Sequence, residues 1–226
     1  MYDHQAAGRK SSRRGRTAGV VATAGAALIA IVIGTHPAAA GTGTPPAREH
    51  LQAAPGLGSG NLMQSEDFFQ QGLGPVGATV DLTGKQALSA CSGEETMRTL
   101  TKGKAAAYAD VTWSFDTGAT SLTESVADGS TITSATSYEG QLNKMVRGCQ
   151  NEPAGHWRYG QAHAITVKAG EGSWYPSFNG DGKVAGGVAV IRSGHRFGLV
   201  ELTGQPSDDA GYMQGIAAAA INRLAG

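Results

Sequence analysis

The sequence predicts an α+β fold: a twisted antiparallel sheet with helices packed mainly on one face, held by one disulfide. Three observations carry this. Residues 108–116 and 121–127 alternate apolar and polar side chains with period two, the mark of half-buried strands. Two late apolar runs, 184–191 and 197–202, are joined through Arg192-Ser193-Gly194-His195-Arg196, a tight hairpin signal. Two segments, near 133–150 and at the carboxyl end, switch to the 3.6 period of amphipathic helices.

The chain has 226 residues, room for one domain and appendages. Its first 40 residues have the form of an export signal. Arg9, Lys10, Arg13, Arg14 and Arg16 precede Ala18–Gly34, which has no charge and contains the apolar run Leu28–Ile33. Ala38-Ala39-Ala40 then offers a small-x-small site, and cleavage is expected after Ala40. The alternative is an uncleaved anchor, since the apolar stretch is about as long as the shortest spanning helix. The Arg13-Arg14 pair lacks the apolar residues expected after a twin-arginine signal, and no cysteine near the cut supports lipidation. Residues 41–60, rich in Gly, Pro and Ala, read as a flexible linker, and 61–226 as the domain.

Within the domain, Ser65 is expected to cap a short helix carrying Glu66 and Asp67 in its first turn and ending at Gly72. Ser92 and Glu95 have capping-box spacing and predict a second short helix through Leu100. In 108–116, Ala109, Val111, Trp113 and Phe115 share one face. Tyr138, Leu142, Met145, Val146 and Cys149 share one side of the helix over 133–150. Residues 161–169 alternate through His163, Ile165 and Val167. Ser207 is expected to cap the last helix, with Asp208 and Asp209 in its first turn and a stripe of Met213, Ile216, Ala217, Ala220, Ile221 and Leu224.

Cys91 and Cys149 are the two cysteines, and an even count behind an export signal predicts a bridge between them. By loop entropy, closing that span is worth roughly 4 kcal/mol. A reactive thiol or a metal site is the alternative, without a C-x-x-C or further ligands to support it.

Without its first 40 residues the chain keeps 13 basic and 17 acidic residues. Such a balance lacks the clustered positive charge that nucleic acid requires. No G-x-S-x-G elbow occurs; Gly172-Ser173-Trp174 stands nearest and reads as a surface turn. His50, His156, His163 and His195 have no metal-ligand spacing. Asn179-Gly180-Asp181-Gly182 opens like a calcium loop, but its twelfth position is Val190, so a β-turn is expected. No cofactor is expected. Trp157, Tyr159, Trp174, Tyr175 and Phe178, with Arg158 among them, fall in Gly/Pro-rich segments. They are the candidate lining of a pocket for a small apolar or sugar-like ligand; the alternative is that they cap a small core.

An exported amino terminus, the opening helix Leu62…Asp67-Phe68, a cysteine before a short helix, a strand bearing Trp113, a helix through Leu142…Cys149, the hairpin Val188–His195 and the closing helix Ile216…Leu224 succeed one another in this order. In this the chain resembles the PknH-like extracellular sensor domain family of actinobacteria, over about 61–226. The resemblance implies a twisted antiparallel sheet with flanking helices and a cleft for a ligand, and no catalysis. Two departures stand out: no kinase domain is present, and the cysteines suffice for one disulfide where the kinase's domain has two.

Three functions follow as expectations. The first is a non-catalytic, secreted or envelope-facing sensor or ligand-binding domain. The second is a structural or protein-interaction module of the envelope, marked by an exposed apolar patch. The third is an exported hydrolase, marked by a Ser or Asp beside His156 or His163. The membrane is met only through the amino-terminal segment, if uncleaved.

Overall fold

The computed structural model describes residues 56–89, 91–153, 155–204 and 209–226, all within one compact unit. The expectations for the export signal, its cleavage and most of the linker lie outside the described residues, as do Ser207 and Asp208. Leu57 is already buried in the core, so packing begins inside the segment read as linker.

The first helix, α1, covers Ser65–Phe69, with Gln64 at its cap in place of the expected Ser65. The Asp67 carboxylate accepts the Gln64 N–H at 2.8 Å, and Gly72 closes the turn with a left-handed φ of 72°. Strand β1, Pro75–Asp81, follows. Helix α2 is only Met97–Leu100. The expected start at Ser92 fails because the Ser92 hydroxyl is used in a turn, accepting the Ser89 N–H at 3.0 Å and donating to the Ser89 carbonyl at 2.8 Å. Thr96 and Thr99 form the reciprocal cap instead.

Strands β2 (Ala107–Phe115) and β3 (Ser121–Asp128) form the expected hairpin. Helix α3 runs Ile132–Gly148 and tightens into a 3-10 turn at Cys149–Asn151. Strands β4 (Arg158–Tyr159), β5 (His163–Val167), β6 (Gly170–Phe178), β7 (Val184–Ser193) and β8 (Arg196–Thr203) come next. Gly172-Ser173-Trp174 is therefore interior to a strand, not a surface turn. Asn179 does make a turn, its Oδ1 accepting the N–H groups of Asp181 and Lys183. Helix α4, Tyr212–Leu224, starts at Gly211, later than the Ser207 cap predicts, and Asp209 accepts the Gly211 N–H.

The eight strands form one antiparallel sheet in the order β1-β2-β3-β8-β7-β6-β4, with β5 beside β4 along the same edge of β6. The pleat sends alternate residues to opposite faces. Ala189, Ile191, Val200 and Leu202 pack with α1 and α4; Val188, Val190, Phe197 and Leu199 pack with α3. The fold is α+β and antiparallel as expected, with its helical cover refined from mainly one face to both.

The Cys91–Cys149 disulfide joins the segment before α2 to the end of α3, with Cα atoms 6.1 Å apart, inside the ordinary range. On the opposite face, α4 lies close to β7: a Cβ on Gly187 would stand 2.6 Å from Met213. The last carbonyls of α4 are met by Arg196, whose guanidinium donates to Leu224 at 2.9 Å and to Gly226 at 2.5 Å.

Candidate functional site: a groove between α2 and α3

Helix α3 carries two parallel stripes. The apolar one ends in Leu142, Val146 and Cys149 against the sheet. Beside it, Ser134, Ser137, Gln141, Lys144 and Gly148 recur at spacings of three and four, so they too share a face. This polar stripe forms one wall of a groove, and α2 with the turn after it forms the other.

The groove has two connected parts. The part beside the disulfide has a volume of about 680 Å³ and is lined by Cys91, Ser92, Glu95, Thr99, Lys144 and Met145 among others. The part toward the start of α3 has a volume of about 400 Å³ and is lined by Lys104, Thr133, Ser134, Ser137 and Tyr138. Leu100, Lys102 and Gln141 border both. Tyr138 is stacked on Phe197, with ring centroids 5.1 Å apart, which fixes the floor at that end.

The turn after α2 sets the waist. Lys102 has φ 53° and Gly103 φ 68°, two successive left-handed residues. For lysine that conformation costs about 1–2 kcal/mol, since its Cβ crowds the following carbonyl. The turn is held by Lys102 and Gly103 N–H groups donating to the Thr99 and Arg98 carbonyls, both at 2.9 Å. Lys102, Lys104 and Lys144 are all exposed, so their charges are hydrated and available at the groove's rim. The acidic side chain within it, Glu95, accepts a hydrogen bond from the Thr99 hydroxyl at 2.9 Å.

The aromatic residues singled out from the sequence do not surround one concavity. Tyr159 and Tyr175 are core residues on the α3 face; Tyr159 donates to Glu201 at 2.6 Å and Tyr175 to Asn143 at 2.8 Å. Burial and the adjacent Glu201 push the Tyr159 hydroxyl well above the usual tyrosine range. Trp174, their neighbour on β6, points to the α4 face and stacks on His163 at 4.2 Å. Trp157 lies edge-on to Tyr159, and Phe178 lies under the Arg158 guanidinium. Strand β6 separates them: its alternation sends Trp174 and Tyr175 to opposite faces.

The described histidines are equally dispersed, and His50 lies outside the described residues. His156 lies 3.6 Å from Glu152, and His163 is exposed on Trp174. His195 Nδ1 lies 2.7 Å from Asp128 Oδ1, which also accepts the Ser130 N–H. That pair joins the β7–β8 hairpin to the entry of α3, and no described hydrogen bond brings a serine or cysteine side chain to its ring.

A buried carboxyl lies on the α4 face. Glu124 is fully buried; its Oε2 accepts the Met63 N–H at 2.7 Å, while Oε1 has no partner among the described residues. Burial pushes it up to about 8, with Asp67 adding to the rise and the Met63 N–H and Arg223 opposing it.

No protein-family model matches the chain, and no curated protein matches it. Among solved structures, the chain is similar to the extracellular domain of PknH from Mycobacterium tuberculosis, at 13% identity over 74% of this chain and 93% of that one, with a TM-score of 0.49.

Proposed function

We propose that this chain is a non-catalytic ligand-binding or sensor domain working outside the cytoplasm, and that its ligand occupies the groove between α2 and α3. The observation that carries this is the groove itself: a two-part concavity of ordinary small-molecule size, with cations, hydroxyls and a few apolar side chains converging on it. The export signal read from the sequence and the Cys91–Cys149 bridge beside the groove support placement in an oxidising compartment. The dispersed histidines support binding over hydrolysis.

Native mass spectrometry of the protein recovered from culture medium, with and without reduction, tests this. The expected species begins at Gly41, is two hydrogens lighter before reduction and carries a small molecule. The adduct should vanish in Met145→Trp, which fills the groove. A full-length species recovered from membranes without any adduct would overturn the proposal.

A second reading has one observation in its favour. Val76 and Val80 on β1, with Leu82 and Phe69 nearby in sequence to its two ends, are exposed apolar side chains, as an interaction module would have. In the same spectra it would appear as a protein–protein complex in place of the small-molecule adduct.

A further inference from the structure

We infer that the groove between α2 and α3 takes a phosphorylated sugar or polyol, with Lys102 and Lys144 holding the phosphate. This rests on the binding function proposed above and adds the chemical class of the ligand. The domain is acidic after residue 40, yet three of the six lysines in that part of the chain, Lys102, Lys104 and Lys144, border this one groove. A net positive rim on a net negative body concentrates an anion there.

Lysine ammonium groups act as point charges that can approach a tetrahedral phosphate from several directions. The lining of both parts contains lysine and no arginine. Between the lysines stand the hydroxyls of Thr99, Ser134 and Ser137 and the Gln141 amide, which both donate and accept. Such groups match the hydroxyls of a sugar or polyol; Thr99 and Ser134 already bond to Glu95 and Thr131, and an apolar tail would cover the Ser137 hydroxyl and the Gln141 amide without pairing them.

A second, independent observation is the backbone at Lys102. A turn with two successive left-handed residues would accept glycine at both positions, but the first is lysine, held at φ 53° at the junction of the two parts. Strained residues of this kind cluster at ligand clamps and active sites. Lys102→Gly is therefore a variant expected to fold at least as well as the parent chain and to bind worse.

The test is a titration of the 15N-labelled full chain, followed by NMR, with glucose 6-phosphate, glycerol 1-phosphate, unphosphorylated glucose and inorganic phosphate. A parallel arm measures sedimentation with phosphatidylglycerol and phosphatidylcholine vesicles. Shifts confined to the amides of 99–104 and 134–148, saturable with a phosphorylated probe, weaker with glucose and weakened by salt, are the expected result. Lys102→Gly and Lys144→Ala should each raise Kd about tenfold or more, as loss of a charged hydrogen bond does. Binding to phosphatidylglycerol vesicles alone would assign the same chemistry to a lipid headgroup. If glucose saturates the groove as well as its phosphate does, the anionic class falls while the binding function stands. Silence of the groove toward every probe, or unaltered binding in both variants, overturns the inference; an adduct in the native spectra of the parent chain would still uphold the binding function.

Discussion

The two faces of the sheet are covered by helices of different kinds. On one, α4 buries Met213, Ile216, Ala217, Ala220, Ile221 and Leu224 within 13 residues, so its alanines bring the helix backbone close to β7. On the other, α3 is longer, at 17 residues, yet fully buries only Ala135, Leu142 and Val146. Its polar stripe, Ser134, Ser137, Gln141, Lys144 and Gly148, lines the groove, and the disulfide at Cys149 ties down its end. One face thus obtains its order from apolar packing, and the other from a cross-link that leaves room beside the helix.

Three changes probe that contrast. Ile216→Ala opens a cavity in the packed face and should cost about 2–5 kcal/mol, read from the urea midpoint at constant m-value. A much smaller loss would mean that α4 can settle into the void and that this face is not close-packed. Replacing both cysteines, Cys91→Ser with Cys149→Ser, should cost roughly 2–4 kcal/mol. Hydrogen exchange should quicken along α3 while α4 stays protected; equal quickening on both faces would erase the proposed division.

The third change concerns pH. Glu124 has a folded-state pKa of about 8 against an ordinary 4.5, so the folded chain binds the proton more tightly than the unfolded one. Its contribution is fully present below about 4.5 and is lost as pH rises toward 8, with a limiting slope of about 1.4 kcal/mol per pH unit. Glu124→Gln should flatten this part of the stability profile. Parallel profiles for the two proteins between pH 5 and 8 would show that Glu124 is ionised in the folded chain. Asp110, raised in the same direction by burial, remains in both and cancels in the comparison.

Much of this fold was legible because a repeating pattern marks it. The stripes of α3 and α4, the alternation of β2 and the turn between β7 and β8 all follow from side-chain period. Strand β6 was not, because Gly170, Gly172 and Pro176 read as breakers. Gly172 is in fact demanded by the sheet, since a Cβ there would stand 2.3 Å from the Val190 carbonyl oxygen. Strand β1 lacked the alternation of a half-buried strand because it is exposed along its length beyond Pro75. The groove was hidden for a different reason: its walls come from 91–104 and 133–148, and only the tertiary fold brings them together. One signal was available in the sequence, the polar stripe Ser134, Ser137, Gln141 and Lys144 running alongside the apolar one.

Strand β1 has a consequence for how the molecule behaves in a crowd. Among the described residues its outer edge is the rim of the sheet, with β2 as its one neighbour, and Val76 and Val80 stand exposed on it. A rim of this kind invites a foreign strand to add itself, which turns a matter of folding into one of colloidal chemistry. Pro75, with no N–H to offer, closes one end, and the charge of Asp81 guards the other. Between them the template is five residues long, short enough to limit templated growth.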